Sequence, residues 1–400
     1  MEKIISLCKR RGFVFQGSEI YGGLAGTWDY GHLGLALKNN IKNLWWKMFV
    51  TDREDMYGVD ADIIMNPKVW QASGHVDTFS DPTEDGKQFN VMFKTSVGAG
   101  EEAVVSYLRP ETAQGILVNF KNTLDAYHPT LPFGIGQIGK AFRNEIAPRD
   151  FIFRKREFEQ MEVEYFVLEK DWKKYFEEWR AAMQNFARAV GINTLHELEV
   201  SDADRAHYSK RTIDFEFDYS SGRKELWGLA YRTDFDLKNH GNASGVALEY
   251  FDEETGERSV PHVIEPSLGV DRTILAVLVS AYIEDELGGE KRIYLKFPKE
   301  IAPIRAAIFP LLKNKPELVA KAREVFMMLK KEFPNVVFDD NGNIGKRYRR
   351  QDEIGTPFCI TIDFDTLGEN PELLNTVTLR DRDTGEQKRV KIEDLKEAIK

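Results

Sequence analysis

Cysteine is scarce in this chain, and its scarcity excludes two kinds of framework. The 400 residues include only Cys8 and Cys359, which lie far apart in the sequence and belong to no CxxC pair. A disulfide framework and a cysteine zinc site both need more thiols than this, so neither is expected, and no zinc is predicted. This cysteine usage is typical of a protein that works in the reducing cytoplasm.

Long hydrophobic runs are also missing. The longest apolar stretches, such as Ile274–Val279, are far shorter than the roughly 20 residues that cross a bilayer as a helix. The first residues lack a long apolar region followed by a small-residue cleavage site, so no secretory signal is expected. There is no internal repeat and no low-complexity tract. A hydrophobic content of 42% with 12% aromatic residues nevertheless permits a large packed core.

An excess of basic residues is absent as well. The 55 lysines and arginines are outnumbered by 65 aspartates and glutamates, which gives a net charge of −10. This balance argues against unspecific binding of nucleic acid along the whole surface. It does not exclude a local basic groove, because phosphates are contacted by patches of charge.

The length favours two domains. Runs of strands with few helices between them predict an antiparallel sheet flanked by helices, an α+β core. The hydrophobic periodicity predicts helices over residues 33–49, 171–190 and 269–287, and strands over 61–65, 134–146, 157–168, 211–219, 224–231, 245–251 and 260–265.

An acidic segment with two glycines, residues 284–290, predicts a domain boundary. We therefore expect one domain over 1–290 and a second over 291–400. In the second part strands and helices alternate, with strands at 306–312, 336–338 and 358–364, a helix at 317–331, a hairpin at 376–391 and a short closing helix. This pattern is typical of an α/β domain of about 100 residues.

The region around residues 142–167 concentrates charge on positions that ought to be half buried. Arg143 and Glu145 end one predicted strand, and a loop with further arginines follows. On the returning strand, a period of two places four residues on one mainly polar face, namely Phe158, Gln160, Glu162 and Glu164. Guanidinium groups suit phosphate oxygens, so a hairpin around a polyphosphate is one interpretation. A solvated sheet face with charges paired across strands is the other.

Three further segments carry candidate charges. Glu111 follows Pro110 just before an apolar helical run, where it could equally be a favourable residue at a helix start. Glu265 ends a strand and Arg272 lies one turn into an apolar helix, and both are costly to bury unless each has a charged partner. Ser267 or Asp271 could cap that helix.

Glu225 is a candidate magnesium ligand, because Mg²⁺ bound with ATP takes carboxylate oxygens. A lone glutamate in a strand is more often structural. Residues 346–350 place four cations and Tyr348 in five positions. Such a run is usually an exposed helix face, but it also suits a single-stranded nucleic-acid loop.

Taken together, these segments resemble the bacterial-type homodimeric glycyl-tRNA synthetases, which are class II aminoacyl-tRNA synthetases. The resemblance covers nearly the whole chain. It rests on the strings Tyr21-Gly-Gly-Leu-Ala, Arg109-Pro-Glu-Thr-Ala-Gln-Gly, Phe142-Arg-Asn-Glu-Ile, Arg156-Glu-Phe-Glu-Gln-Met-Glu, Glu265-Pro-Ser-Leu-Gly, Gly345-Lys-Arg-Tyr-Arg-Arg-Gln-Asp and Asp381-Arg-Asp. Residues 33–67, 137–167 and 260–285 resemble motifs 1, 2 and 3 of this class.

The resemblance implies ATP-dependent ligation of glycine to tRNA(Gly) through a glycyl-adenylate, with Mg²⁺, in a cytoplasmic homodimer without a membrane anchor. It implies Arg143 and Arg272 as the catalytic pair and Glu225 as the metal ligand. The implied ATP-binding residues are Arg143, Asn144, Glu145, Phe153, Arg154, Arg156, Phe158, Glu225, Leu226, Gly269, Asp271 and Arg272. The implied glycine-binding residues are Glu111, Gln160, Glu162, Arg232, Glu265 and Ser267. The C-terminal domain would read the anticodon, with tRNA contacts from Lys346, Arg347, Arg349 and Arg350.

The chain departs from the family pattern between Ser80 and Phe89, where family members usually carry an insertion. Only a short connection remains here, which puts one substrate contact and some acceptor-stem contacts in doubt. Two other functions stay open: a synthetase-like binding protein without catalysis, and a ligase that charges a carrier protein. The charged cluster argues against the first, since a pure binder has little use for buried unpaired charges. The anticodon-type domain argues against the second.

Overall fold

The computed structural model describes residues 1–83, 85–206 and 208–400 of the chain. The helices are α1 Glu2–Arg11, α2 His32–Trp46, α3 Pro67–Ala72, α4 His75–Thr78, α5 Ala113–Leu117, α6 Phe120–Tyr127, α7 Trp172–Ala189, α8 Phe235–Ser244, α9 Val270–Ala281, α10 Pro316–Lys330, α11 Ile344–Ile354 and α12 Leu395–Ala398. A π-helical turn, Lys47–Thr51, follows α2, and short 3-10 turns cover Glu19–Tyr21, Gly100–Glu102, Glu169–Asp171, Asp365–Leu367, Pro371–Leu373 and Ile392–Asp394.

The strands are β1 Val14–Gln16, β2 Trp28–Tyr30, β3 Met56–Gly58, β4 Ser80–Pro82, β5 Gln88–Asn90, β6 Lys94–Val97, β7 Val104–Tyr107, β8 Phe133–Phe142, β9 Glu157–Val167, β10 His196–Glu199, β11 Arg211–Tyr219, β12 Gly222–Thr233, β13 Tyr250–Phe251, β14 Arg258–Ser259, β15 His262–Gly269, β16 Tyr282–Leu287, β17 Glu290–Leu295, β18 Ala306–Pro310, β19 Val336–Phe338, β20 Phe358–Ile362, β21 Thr376–Asp381 and β22 Gln387–Lys391. The described chain divides into two compact units. The first, here called the sheet unit, comprises Gln16–Trp28 and Lys42–Ala276, and the second, here called the C-terminal unit, comprises Met1–Phe15, Asp29–Ile41 and Val277–Lys400.

The sheet unit is built on a seven-stranded sheet with the order β10-β11-β12-β15-β9-β8-β3. All neighbours are antiparallel except the edge strand β3, which runs parallel to β8. The α+β prediction is therefore confirmed, with a sheet that is mixed at one edge. In the centre, Ile264 pairs with Tyr165 and Ser267 with Glu162, which brings the polar positions of β9 and β15 side by side.

Helix α7 packs across the sheet because one of its faces is apolar. Its side chains Phe176, Trp179, Met183 and Phe186 are buried. Trp179 contacts Tyr165 of β9 with ring centroids 5.3 Å apart, and Phe186 contacts Trp227 of β12 at 5.6 Å. The helical periodicity of residues 171–190 thus predicted a real core element, and α7 covers the sheet surface that does not carry the polar residues of β9.

The predicted strand over residues 61–65 is wrong, because the parallel edge strand is β3, a few residues earlier. Arg109 explains the difference: its Nη1 donates to the carbonyl of Ala61 at 2.5 Å, and its backbone N–H donates to the carbonyl of Ile63 at 3.3 Å. The carbonyls of Ala61, Asp62 and Ile63 therefore all accept hydrogen bonds from one arginine. A single bridge between Ile64 and Leu108 is the sheet pairing that remains there.

Two other predictions need correction. Residues 245–251 form a strand only at Tyr250–Phe251, and the preceding helix α8 was not predicted. The helix expected over 269–287 ends at Ala281, and residues 282–287 become β16. The β16–β17 hairpin turns at Gly288 and Gly289, whose φ angles of 62° and 81° favour glycine.

The C-terminal unit contains a five-stranded sheet with the order β19-β18-β20-β21-β22. Strand β18 lies parallel to both β19 and β20, and β21 and β22 form the predicted antiparallel hairpin. Leu318, Ala322, Val325 and Leu329 of α10 are buried, as expected for an amphipathic helix on such a sheet. Within the described parts of the chain, no helix is long and apolar enough to cross a membrane.

Candidate active site

The sheet unit contains a cavity of about 370 Å³ on the sheet face that carries the polar residues of β9. Strands β9, β11, β12 and β15 contribute to its walls, together with the β8–β9 connection and the start of α9. It is lined by most of the residues that the sequence suggested, namely Glu111, Arg143, Glu145, Phe153, Arg154, Phe158, Gln160, Glu162, Glu225, Leu226, Glu265, Ser267, Gly269, Asp271 and Arg272. Residues separated by up to 161 positions in the sequence therefore share one chamber.

Arg143 is held in a fixed orientation at this cavity. Its guanidinium carbon lies 5.2 Å from the ring centroids of both Phe79 and Phe158. Its Nε donates to the carbonyl of Pro110 at 3.0 Å. Among the described residues, no hydrogen bond engages its two terminal nitrogens. Both can therefore donate hydrogen bonds to an anionic ligand.

Glu145 and Arg154 form a second polar wall. The Arg154 Nε lies 3.6 Å from Glu145 Oε2, and that buried oxygen accepts no hydrogen bond from any residue that the structure describes. Buried polar atoms normally have hydrogen-bond partners. An unsatisfied acceptor in a cavity that Phe158 also lines is therefore the kind of position at which a ligand amino group binds.

Arg272 and Glu225 meet at a more open part of the cavity. Arg272 Nη1 lies 3.0 Å from Glu225 Oε2 and donates to the Glu225 carbonyl at 3.1 Å. The guanidinium also stacks on Phe153, 4.6 Å from the ring centroid. About half of the Glu225 side chain is exposed, so this carboxylate can exchange its arginine partner for a ligand or a solvated cation.

A buried ion pair ties the β8–β9 connection to α9. Lys155 Nζ lies 2.8 Å from Asp271 Oδ1, and the other carboxylate oxygen accepts the Glu159 N–H at 3.1 Å. Both side chains are less than one-tenth exposed. Lys155 was not predicted from the sequence, where it is one of many cations in a short loop.

The polar face of β9 meets β15 in a group of carboxylates. Glu162 accepts hydrogen bonds from the hydroxyls of Thr112 and Ser267, the latter at 2.7 Å. Gln160 lies beside them with its Oε1 buried and without a donor in the described part of the chain. Burial, and then the charge of Glu111, raise the pKa of Glu162 above its ordinary value.

Arg232 balances part of this negative charge. It is 1% exposed and binds Asp236 through Nε and Nη2 at 2.8 and 2.9 Å. Its Nη1 donates to Glu265 Oε2 at 2.6 Å. Burial nevertheless outweighs the arginine and raises the pKa of Glu265 to about 8. Arg232 does not line the cavity itself and acts on it through Glu265.

The pKa of Glu111 shifts in the opposite direction. Burial by itself raises its pKa, but His75, at 3.3 Å, and Arg232 outweigh burial and hold the pKa well below its ordinary value. Gln114 donates to Glu111 at 3.1 Å and to Asp236 at 3.2 Å, and thereby joins both carboxylates. Glu111 is therefore ionised at neutral pH, and one side of the cavity holds a fixed negative charge suited to an ammonium group.

Two residues predicted at the nucleotide do not line the cavity. Arg156 donates to the carbonyls of Ala25 and Glu145, the latter at 3.1 Å, and does not line the cavity. The N–H of Asn144 donates to the carbonyl of Val91 at 2.7 Å, and this residue also lies outside the lining. Both stabilise the connections around the site, because their hydrogen bonds go to the backbone of neighbouring segments.

The basic run in the C-terminal unit is only partly exposed. Arg347 is 1% exposed and its guanidinium donates to three backbone carbonyls, those of Pro310, Asp340 and Gly342. Its prediction as a tRNA contact is therefore wrong. Lys346 is exposed, whereas Arg349 and Arg350 are half-buried and pair with Glu290 at 2.9 Å and Asp339 at 2.7 Å.

The loop between β10 and β11 supplies a wall that sequence reasoning missed. Arg205 and Tyr208 line the cavity, and the Tyr208 ring lies 3.9 Å from the Arg232 guanidinium carbon. Asp214 of β11 also lines it, and burial together with Glu225 and Glu216 raises the pKa of Asp214 to about 6. No periodicity marks a residue in an irregular loop, so only the folded chain reveals this wall.

Comparison with known proteins assigns both parts of the chain. Residues 93–281 match the tRNA synthetase class II core domain (G, H, P, S and T), and residues 305–400 match the anticodon binding domain. A glycine–tRNA ligase of Clostridium acetobutylicum is 47% identical over 460 aligned positions, which cover 100% of this chain and 98% of the relative. Those of Lachnospira eligens and Bacillus cereus are 47% and 46% identical, each over 99% of this chain and 97% of the relative.

These matches confirm the predicted family, fold class and type of enzyme. The alignment of 460 positions is longer than the 400 residues of the chain, so the relatives contain segments that are absent here. The chain belongs to the glycine–tRNA ligases, class II aminoacyl-tRNA synthetases that use ATP to attach glycine to tRNA.

Proposed function

We propose that the cavity of the sheet unit performs both steps of this ligation in the present chain. Glycine and ATP form glycyl-adenylate and pyrophosphate, and the terminal ribose of tRNA(Gly) then accepts the glycyl group with release of AMP. The observation that carries the proposal is the shared cavity, which is lined by Arg143 and Arg272 and also by the carboxylates of Glu111 and Glu265. Cations for a triphosphate and anions for an ammonium are both needed for this chemistry.

In the first step, Arg143 binds the α-phosphate and the reacting carboxylate of glycine. Its fixed stacking between two aromatic rings supports this role, since a donor that is already oriented needs little reorganisation in the transition state. Arg154 and Arg272 bind the outer phosphates. The attacking group is the glycine carboxylate itself, so positioning and electrostatic stabilisation supply the acceleration and no side-chain nucleophile is required.

The adenosine moiety occupies the part of the cavity near Phe158. The ring stacks on the base, and Glu145 Oε2 accepts a hydrogen bond from its amino group. The absence of any other hydrogen bond to that oxygen among the described residues supports this assignment. Leu226, Gly269 and Asp271 complete the nucleotide side of the chamber.

Glu225 is the proposed ligand for Mg²⁺ bound with ATP. The described residues contain no group of three or more His, Cys, Asp or Glu side chains that could hold a metal ion by themselves. Mg²⁺ usually keeps several waters and takes one or two carboxylates plus substrate phosphates, so a half-exposed Glu225 fits this mode of binding. When bound, the ion would neutralise charge on the phosphates.

Glycine lies in a cage formed by Glu111, Glu162, Glu265 and Ser267, with Gln160 at its edge and Arg232 behind it. The ammonium group binds the carboxylates through charge-assisted hydrogen bonds. Glycine offers no side chain to grip, so larger amino acids must be rejected by steric exclusion, and a separate editing domain is not required.

The remaining assignments concern partners and organisation. We propose a catalytic domain over 1–290 and an anticodon-binding domain over 291–400, in which Lys346, Arg349 and Arg350 contact tRNA. The α2 region would form the interface of a homodimer in the cytoplasm. Light scattering of the purified protein tests the dimer, and a stable monomer at micromolar concentration would remove it.

Glycine-dependent exchange of pyrophosphate into ATP tests the first step. Glycine, alanine and serine are compared in parallel, and exchange is expected with glycine alone. A protein that binds ATP and tRNA without any exchange would be a synthetase-like binder. Transfer of labelled glycine to tRNA with a glycine anticodon, compared with a carrier protein, tests the second step, and preference for the carrier would contradict tRNA as acceptor.

A further inference from the structure

Glu164 is a buried carboxyl group for which the site described so far gives no use. It lies on β9 two residues beyond Glu162, on the same strand face, and is fully buried. Neither of its oxygens has a hydrogen-bond partner among the described residues. A charged carboxylate in such a position would be costly, because nothing replaces the water that it loses.

The strand register brings Glu164 near Glu265, although the backbone pairing of β9 and β15 is interrupted at these two positions. Ile264 pairs with Tyr165 and Ser267 with Glu162, so the positions between them also face each other. Side chains opposed in this way have Cβ atoms only about 4.5–5.5 Å apart. Glu265 is therefore the neighbour across the strand pair toward which the Glu164 side chain can direct a hydrogen bond.

The charges around Glu164 favour its neutral form. The groups that act on it are Glu162 on its own strand, Glu265 on β15, Asp236 on α8 and the cation Arg232 on β12. The donors of Arg232 already bind Asp236 and Glu265. Burial first, and then the charge of Glu265, raise the pKa of Glu164 well above its ordinary value. Like charges at close range cannot both ionise freely.

We propose that Glu164 is a positioning residue of the glycine cage: as a neutral acid it donates a hydrogen bond to Glu265 and orients that carboxylate for the ammonium group of glycine. It acts through Glu265 and is not itself part of the cavity lining. The inference rests on the proposed glycine cage. This role accounts for a buried carboxyl group in the sheet that has no hydrogen-bond partner in the described part of the chain.

The test compares Glu164→Gln with Glu164→Met in the full-length protein. Glutamine has nearly the shape of the neutral acid and keeps an N–H donor at the same position, whereas methionine keeps the length but cannot donate. We expect the glutamine variant to keep the KM for glycine within about threefold of the wild type. The methionine variant should raise it about tenfold, the size of one lost hydrogen bond to a charged group, with the KM for ATP unchanged.

Glu162→Gln is the matched comparison, because it removes a carboxylate that lines the cavity and should weaken glycine binding strongly. If Glu164→Gln raises the KM for glycine as much as Glu162→Gln does, Glu164 is needed as an anion and the inference is overturned. It is equally overturned if thermal unfolding shows that Glu164→Gln does not fold, because a neutral donor of the same shape should be tolerated at this position. It is also overturned if the glutamine and methionine variants both match the wild type. If the wild type itself shows no glycine-dependent exchange, the proposed function fails instead.

Discussion

Arg232 and Glu265 form a buried ion pair, with Nη1 and Oε2 2.6 Å apart, and the same guanidinium group grips Asp236 through two further nitrogens. This geometry uses the planar fork of arginine on two carboxylates at once. A lysine has one ammonium group and cannot reproduce it. The arginine thus links the stability of the sheet unit to the shape of the proposed glycine cage.

Arg232→Lys should therefore lower both stability and glycine binding. Loss of even one hydrogen bond to a charged group costs about 1.5–3 kcal/mol. We expect a lower thermal unfolding midpoint and a higher KM for glycine, measured by calorimetry and pyrophosphate exchange. Arg223→Lys is the control, since Arg223 pairs with Asp218 at an exposed position and should change neither quantity. An Arg232→Lys protein as stable as the control would contradict this account.

Gly228→Ala should impair binding without harming the fold. A Cβ at Gly228 meets no heavy atom within 4 Å and would project into the cavity, opposite Ser267 on the neighbouring strand. Replacing a strand glycine with alanine should be neutral or stabilise by about 0.5–1 kcal/mol. The KM values for ATP and glycine are expected to rise several-fold in exchange assays.

Gly136→Ala is the matched control for that prediction. A Cβ at Gly136 would lie 2.9 Å from Val50 in the packed core, so overpacking should cost about 1–3 kcal/mol. Gly228→Ala should thus lose affinity for the substrates, whereas Gly136→Ala should lose stability. If Gly228→Ala were the less stable of the two, the cavity would not be open at this position.

Lys155→Met should weaken ATP binding more than glycine binding. The buried Lys155–Asp271 pair holds the β8–β9 connection against the start of α9, and both segments line the part of the cavity proposed for the nucleotide. Removing the cation leaves Asp271 buried beside a methionine, which should raise the KM for ATP about tenfold or more. Lys140→Met, at an exposed pair with Glu157, is the control and should leave the KM unchanged.

The raised pKa of Glu265 predicts a particular dependence of stability on pH. Without glycine, the folded chain holds this proton up to about pH 8, whereas the ordinary value is 4.5, and the ammonium group of bound glycine favours the ionised carboxylate. The contribution is therefore fully present below about pH 4.5 and is lost as the pH rises through about 8. We expect the unfolding midpoint to fall by a few degrees between pH 6 and pH 8.5.

Glu265→Gln should reduce the fall of the unfolding midpoint with rising pH. The raised pKa values of Glu162 and Glu164 act in the same direction, so some pH dependence should remain. Saturating glycine at pH 8.5 should raise the midpoint of the wild type more than that of the variant. An equal slope in both proteins would show that Glu265 does not carry the proton.

Most residues that line the cavity could be predicted from the sequence, because their polar side chains alternate with apolar ones along strands at a period of two. The alternation over Glu157–Val167 separates an apolar face from the face that carries Gln160 and Glu162, and β9 has this arrangement. Lys155 and Tyr208 could not be found in this way, since each acts from an irregular segment through a partner distant in sequence.

Main-chain carbonyls account for the main differences between the roles predicted for arginines from the sequence and their contacts in the structure. Arg156 and Arg347 look like ligand-binding cations in the sequence, yet their donors bind backbone oxygens inside the fold. Arg109 likewise engages the segment that was expected to form a strand. A linear pattern gives the charge of an arginine, but only packing decides whether a carbonyl or a ligand receives its hydrogen bonds.

The most direct test of the whole account is glycine-dependent pyrophosphate exchange by Arg143→Ala beside Arg149→Ala. Arg149 is an exposed arginine of the same connection that does not line the cavity. Arg143→Ala is expected to lose at least about a hundredfold in exchange rate while its unfolding midpoint stays near that of the wild type, and Arg149→Ala is expected to remain active. Near-normal exchange by Arg143→Ala would contradict the placement of the reacting phosphate in this cavity.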